Sequence, residues 1–226
     1  PAYLFESAIA SMEQYPVKGV VWYQGESNDY DIRQHEKLFP ILVESWREYW
    51  GNPQMPFHFV QLSSLNRHHW PAFRDSQRRL AEQIPHCEMA VSSDLGDSLD
   101  IHPRYKRPVG ERLARQALCH DYGMSVTPCG PVLKDAVWKG DKIVLSFDFA
   151  DGLKTSDGKA LRCFEVAGYD EVFVAVEAVI EDGNVVLSVP MQSPMYVRYA
   201  WQPFTRANLV NGEDLPCSTF CAEIMR

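Results

Sequence analysis

Two short stretches of the chain gather side chains capable of acid–base and polar chemistry. One is Asp100-Ile101-His102-Pro103. An imidazole titrates near neutrality, so a loop histidine can take a proton and return it. A carboxylate beside it orients the ring and stabilises the imidazolium as it forms. Asp100 stands two residues before His102, with Asp97 and Asp94 as rivals and a backbone carbonyl as a further alternative. Pro103 restricts the backbone at His102 to extended or turn geometry. The other stretch is Trp22-Tyr23-Gln24-Gly25-Glu26-Ser27-Asn28. The Gln24 amide can donate to a negative oxygen that develops during acyl transfer. Glu26 can fix Gln24 or a loop N–H in place, or accept from ligand hydroxyls. Trp22 is a candidate for stacking on a ligand ring, although an indole at an apolar strand end is more often core. Gly25-Glu26-Ser27 is the front half of a nucleophile elbow, but Asp29 stands where a small residue is required. Ser27 therefore reads as a helix cap. His68-His69 has no acidic partner at ligand spacing, so no metal site is expected.

The elements around these stretches alternate. Tyr3–Met12 has helical spacing. Val17–Val21 is a β-branched run that reads as a buried strand, broken at Gly25, with Ser27, Asn28 and Asp29 offering oxygens to the helix that follows. That helix covers Tyr30–Trp50, with Leu38, Ile41, Leu42, Ser45, Trp46 and Tyr49 on its inner face. Pro40 should kink or divide it, and Gly51-Asn52-Pro53 ends it. Phe57–Leu62 is a strand, and Trp70–Ile84 a helix with Arg74, Arg78 and Arg79 on its wet side. Glu88–Ser92 is the next strand. Pro108 suits the first turn of a last helix carrying Val109, Leu113, Ala117 and Leu118. Strands separated by helices imply parallel crossovers. Gln24 and His102 each follow an apolar strand, so both are expected at the carboxyl edge of one sheet, where α/β proteins build sites.

The composition changes at Thr127-Pro128-Cys129-Gly130-Pro131, the expected boundary between residues 1–128 and 129–226. Short β-rich runs follow at Ala136–Trp138, Ile143–Phe149, Val172–Ile180, Val185–Val189 and Tyr196–Trp201. Gly140-Asp141, Asp157-Gly158 and Gly183-Asn184 are the turn signals among them. This half reads as an antiparallel, sandwich-like β-domain.

The Trp22–Asn28 stretch resembles a signature of the sialate O-acetylesterase family, a branch of the SGNH (GDSL-like) hydrolases. A second block agrees: Asp94-Leu-Gly-Asp97, Asp100-Ile-His102-Pro103, Lys106 and Gly110-Glu111-Arg112-Leu113-Ala114. The likeness runs from about Pro1 to Phe220 and takes in Tyr199-Ala-Trp201 and Asn208-Leu-Val-Asn211. It implies a flavodoxin-like three-layer α/β domain, of which residues 1–128 are the C-terminal part, followed by the β-domain. It implies hydrolysis of O-acetyl esters on sugars, typically at the 9-position of sialic acid, with no cofactor and no metal. His102 would be the base, Asp100 its partner, and Gln24 an oxyanion donor. Trp22, Gly25, Glu26 and Asn28 would bind substrate or support the site, and Arg104 could clamp the sialic acid carboxylate. Many SGNH hydrolases place the aspartate three residues before the histidine, where this chain has Leu99. The family's nucleophilic serine sits in a Gly-Gln-Ser-like block far upstream, and no such block precedes Trp22 here. The resemblance thus implies an N-terminal fragment or second chain that brings the serine. The first parallel strand should then lie open toward the missing part. A catalytically inactive, glycan-binding homologue is the alternative. A periplasmic or secreted location is a family-level expectation.

Composition excludes other classes. A net charge of −8 over 226 residues argues against nucleic acid as a partner. No apolar run is long enough for a membrane span, and no signal peptide opens the chain. The six cysteines, at 87, 119, 129, 163, 217 and 221, have neither zinc nor redox CxxC spacing and read mostly as free core residues. One disulfide from Cys217 or Cys221 remains an alternative.

Overall fold

Three parallel strands form the sheet that carries both motifs: β1 (Val20–Trp22), β2 (Phe57–Val60) and β3 (Cys87–Ala90), in that spatial order. The computed structural model describes residues 3–189 and 191–226. Val20 lies opposite Phe57, and Phe57 opposite Cys87. Helix α1 (Ile32–Tyr49) joins β1 to β2, α2 (Trp70–Gln83) joins β2 to β3, and α3 (Arg107–His120) follows β3. The period-2 alternation of β2 distributes them. Phe57 and Phe59 pack with Phe39 and Val43 of α1 and Leu80 of α2. Val60 faces the other way and packs, with Ala90, on Val109 and Leu113 of α3. His58 shares that second face, where its Nε2 meets Asp121 Oδ2 at 2.6 Å. The result is the expected three-layer α/β arrangement, with β1 at the sheet's edge.

Several local expectations are corrected. The buried row of α1 is His35, Phe39 and Val43, whereas Leu38 and Ile41 are 51% and 58% exposed. The true row contains a histidine stacked on Phe39 and tilted against Phe73, which an apolar count discards. The helix runs unbroken through Pro40. Its cap is Asp31, which accepts from the Gln34 N–H, rather than Ser27, Asn28 or Asp29. The opening segment is a π-turn at Phe5–Ile9 followed by a 3₁₀ turn at Ala10–Met12, and it buries no residue. On α2, Arg78 is largely covered and Arg74 is fully buried.

Among the described residues the second half holds ten strands: β4 (Val132–Lys139), β5 (Lys142–Asp148), β6 (Lys154–Thr155), β7 (Phe164–Ala167), β8 (Val174–Ala175), β9 (Ala178–Glu181), β10 (Asn184–Ser188), β11 (Tyr196–Tyr199), β12 (Leu209–Val210) and β13 (Phe220–Glu223). They make two antiparallel four-stranded sheets, β4-β5-β10-β9 and β13-β11-β7-β8, and a short β12-β6 pair. Ile143, Leu145, Val185 and Leu187 of one sheet share a core with Phe164, Val166, Val197, Tyr199 and Phe220 of the other. Val172–Ile180 is not one strand. It leaves β8 in one sheet and enters β9 in the other. β7 and β13 carry too few β-branched residues to announce themselves. The β core draws only on residues 136–224, and the α/β clusters only on residues 20–113. These separate cores support the division near 127–131, which we propose as the domain boundary. All six cysteines are free.

Candidate active site

Because β1 and β3 are parallel, the loops leaving them emerge at the same edge of the sheet. Tyr23, Glu26 and Ser27 from the first, and Ile101, His102 and Lys106 from the second, line one open groove of about 560 Å³. His102 projects into solvent, its side chain 85% exposed. Its Nδ1 lies 3.8 Å from Asp100 Oδ1, which is ion-pair range but too long for a hydrogen bond. Asp100 instead accepts from the His102 backbone N–H at 2.9 Å and shapes the loop. The rival acids are committed elsewhere. Asp94 forms a two-point pair with Arg112 at 2.7 Å on each oxygen. Asp97 accepts from the N–H groups of Leu99 and Asp100, and these bonds, with the nearby charge of Arg104, hold its carboxyl below the usual carboxylate range.

On the facing loop, the Gln24 Nε2 donates to Asn28 Oδ1 at 2.7 Å. That bond occupies one of two amide hydrogens and leaves the other free to donate. Gly25 is required twice over. Its φ is +148°, and a Cβ there would sit 2.9 Å from the Phe73 ring. Trp22 is not in the groove. It packs edge-on to Trp46 and beside Phe57, so its reading as a stacking platform is corrected to core. Gln24 and Arg104 do not line the groove either; Gln24 lies between the lining residues Tyr23 and Glu26.

A third loop, after β2, ties these two together. The Asn66 N–H donates to Ser98 O at 3.3 Å, on the His102 side. Arg67 donates to Glu26 O at 2.9 Å and to Asp29 Oδ1 at 3.3 Å, on the Gln24 side. Gly96 lets Ser64 approach the His102 loop, since a Cβ there would lie 2.0 Å from Ser64 O. The loop is in turn anchored on the β half. Leu65 N–H donates to Pro203 O, and Thr205 N–H to Ser64 Oγ, both at 3.3 Å. Arg74 completes the anchor, donating to Ala200 O at 2.9 Å, Gln202 O at 2.7 Å and Pro203 O at 3.2 Å. Burial pulls the Arg74 guanidinium down from 12.5 to about 9, so it stays charged at neutral pH. Sequence reasoning missed Arg67 and Arg74 because their partners are mainly backbone carbonyls, which carry no sequence signature. Tyr23 and Lys106 lay inside the recognised blocks without an assigned role.

A parallel sheet with polar side chains gathered at its carboxyl edge is the layout of an α/β enzyme domain. The family model described as carbohydrate esterase, sialic acid-specific acetylesterase matches residues 3–119, and the chain belongs to that family. It is 30% identical over 231 residues to a sialate O-acetylesterase of Mus musculus, covering 88% of this chain and 42% of the relative. With that of Homo sapiens it is 34% identical over 187 residues, covering 73% of this chain and 36% of the relative. Among solved structures it is similar to a carbohydrate acetylesterase from Xanthomonas citri. The TM-score is 0.86 at 35% identity, over 93% of this chain and 51% of that one. The chain therefore spans about half, or less, of the proteins it matches. No helix among the described residues is long and apolar enough to cross a membrane.

Proposed function

We propose that this chain supplies the base and an oxyanion donor of a carbohydrate O-acetylesterase acting on 9-O-acetylated sialic acid, with the nucleophilic serine on a segment or partner chain outside residues 1–226. The observation that carries the reading is the groove in which Tyr23, Glu26 and Ser27, which flank Gln24 in sequence, meet His102. In this mechanism the serine Oγ attacks the acetyl carbonyl while His102 takes its proton. The free Gln24 N–H stabilises the oxyanion of the tetrahedral intermediate. His102 then returns the proton to the departing sugar oxygen. Water, activated by the same imidazole, releases acetate from the acyl-enzyme. Asp100, 3.8 Å from the ring nitrogen, is the carboxylate that would orient the imidazole. The open edge of β1 supports a strand arriving from elsewhere, since an unpaired edge is a template for pairing.

The test is p-nitrophenyl acetate hydrolysis by this chain alone and by the full-length polypeptide, with a serine-directed fluorophosphonate probe. The lone chain should show no turnover above background, the full-length protein should turn over, and His102→Ala should remove nearly all of that rate. An active His102→Ala enzyme, or labelling of the lone chain at Ser27 with turnover lost in Ser27→Ala, refutes the mechanism. The loose His102–Asp100 geometry favours a second reading, a binding homologue without turnover. That protein would bind acetylated glycans and stay inactive at full length. A periplasmic or secreted location belongs to the same proposal. Burial raises the Cys87 and Cys129 thiols to about 12, which keeps them protonated and slow to oxidise in such a compartment.

A further inference from the structure

The groove beside His102 holds one cation, Lys106. The other basic side chains of these loops have acidic neighbours. Arg67 reaches Asp29, Arg112 pairs with Asp94, and Arg107 pairs with Glu111 at 2.7 Å. Arg104 lies outside the groove and acts on Asp97. Lys106 has no carboxylate within 4.0 Å among the described residues. Its Nζ stands 4.5 Å from the centroid of the Tyr23 ring and 3.5 Å from the Tyr23 hydroxyl. The aromatic face attracts the ammonium and holds it over the groove wall without neutralising it. An ammonium has three donors and no acceptor capacity, so it calls for an anionic or strongly polar oxygen. Glu26 lines the same groove without forming an ion pair to Lys106. The groove thus offers one fixed cation and one carboxylate. That pairing suits a ligand bearing both a carboxylate and hydroxyl groups.

We propose that Lys106, held over the Tyr23 ring, grips the carboxylate of an anionic sugar ester and makes the site prefer acidic over neutral substrates. Glu26 accepts from the hydroxyls of the same ligand. The inference rests on the esterase reading and reassigns to Lys106 the carboxylate contact expected of Arg104. A charge-assisted contact of this kind is worth roughly tenfold in affinity or more.

The experiment uses the full-length polypeptide and two substrates that differ by one negative charge and one methyl group, 9-O-acetyl-N-acetylneuraminic acid and its methyl ester. The quantity read is the ratio of kcat/KM for the free acid to that for the ester. In the wild-type protein this ratio exceeds one and falls as salt is raised. Lys106→Met lowers it about tenfold, mainly through KM of the acid, while Lys106→Arg keeps most of it. Arg104→Met leaves the ratio where it was. A wild-type ratio near one, or a ratio that survives Lys106→Met, overturns the lysine assignment while leaving the esterase intact. A ratio that falls in Arg104→Met and not in Lys106→Met restores the arginine. Absence of turnover on both substrates and on p-nitrophenyl acetate removes the esterase reading, and the lysine inference falls with it.

Discussion

Replacing Arg74 by methionine keeps the apolar stem and deletes the cation that ties α2 to the 200–205 segment. The magnitude follows from the acceptors left behind. Ala200 O retains a bond from Thr219 Oγ1 at 3.3 Å, so it is only half deprived. Pro203 O loses the Arg74 donor at 3.2 Å but keeps the Leu65 N–H at 3.3 Å, so it too is only half deprived. Gln202 O loses its Arg74 donor at 2.7 Å and is left as the one orphaned, part-buried acceptor, at a cost of about 1–3 kcal/mol. Against this, the variant no longer buries a cation, and the fall of the Arg74 pKa to about 9 records how unfavourable that burial is. The two effects together leave a net loss of about 1–2 kcal/mol. Urea unfolding measures it. Amide exchange localises it, because the N–H groups of Leu65 and Thr205 bond across the same junction and should exchange faster. Arg74→Lys, which can reach one carbonyl instead of three, should recover only part of the loss. A change under about 1 kcal/mol, with exchange at both amides unaltered, would refute the idea that this guanidinium holds the two halves in register.

Gly25→Ala should lower stability by about 2 kcal/mol, because its backbone lies at φ +148° and the new Cβ meets Phe73 at 2.9 Å. Gly110→Ala, on α3 with nothing within 4 Å, should gain about 0.5–1 kcal/mol, and paired thermal melts compare the two. His35 is buried, and desolvation lowers it from 6.5 to about 4, with Glu36 opposing. The unfolded chain therefore binds the proton first, so stability is full above pH 6.5 and falls as pH drops toward 4. Between pH 7 and pH 4.5 the wild type should lose about 2 kcal/mol more than His35→Phe in urea unfolding; equal losses would clear this histidine. Asp100→Asn keeps an oxygen for the His102 N–H but removes the charge. Full-length kcat on p-nitrophenyl acetate should fall roughly tenfold or more if the carboxylate orients the ring, and an unchanged kcat would leave Asp100 as a loop cap.

The order of elements and the meeting of two motifs at one sheet edge were legible in the chain. The apolar runs Val17–Val21 and Met89–Val91, each followed by a polar loop, already put the Trp22–Asn28 loop and the His102 loop at one edge once parallel crossovers are assumed. Proline at the start of α3 was equally plain. Charge was the poorer guide. Arg74 has the residue type of a wet surface, yet its partners are backbone carbonyls 126 to 129 residues away. The inner face of α1 was misread because a buried histidine occupies it. The run Val172–Ile180 is apolar apart from Glu177, and a single carboxylate is too slight a mark to announce the change of sheet at Val176 and Glu177. Within the charged run after His102, only the fold decides which side chain faces the groove. Arg104 and Lys106 are neighbours in sequence, and the turn into α3 separates their directions.

The outer side of β1 carries a practical consequence. Among the described residues nothing pairs with it, and Val21 on that strand is 64% exposed. Val20-Val21-Trp22 contains no charge and no proline to discourage a second copy from docking there. Concentrated stocks of the lone chain are therefore prone to edge-to-edge association and slow precipitation. Any strand that seats against β1 serves as a solubility factor before it serves chemistry, shielding a sticky border that the rest of the molecule leaves bare.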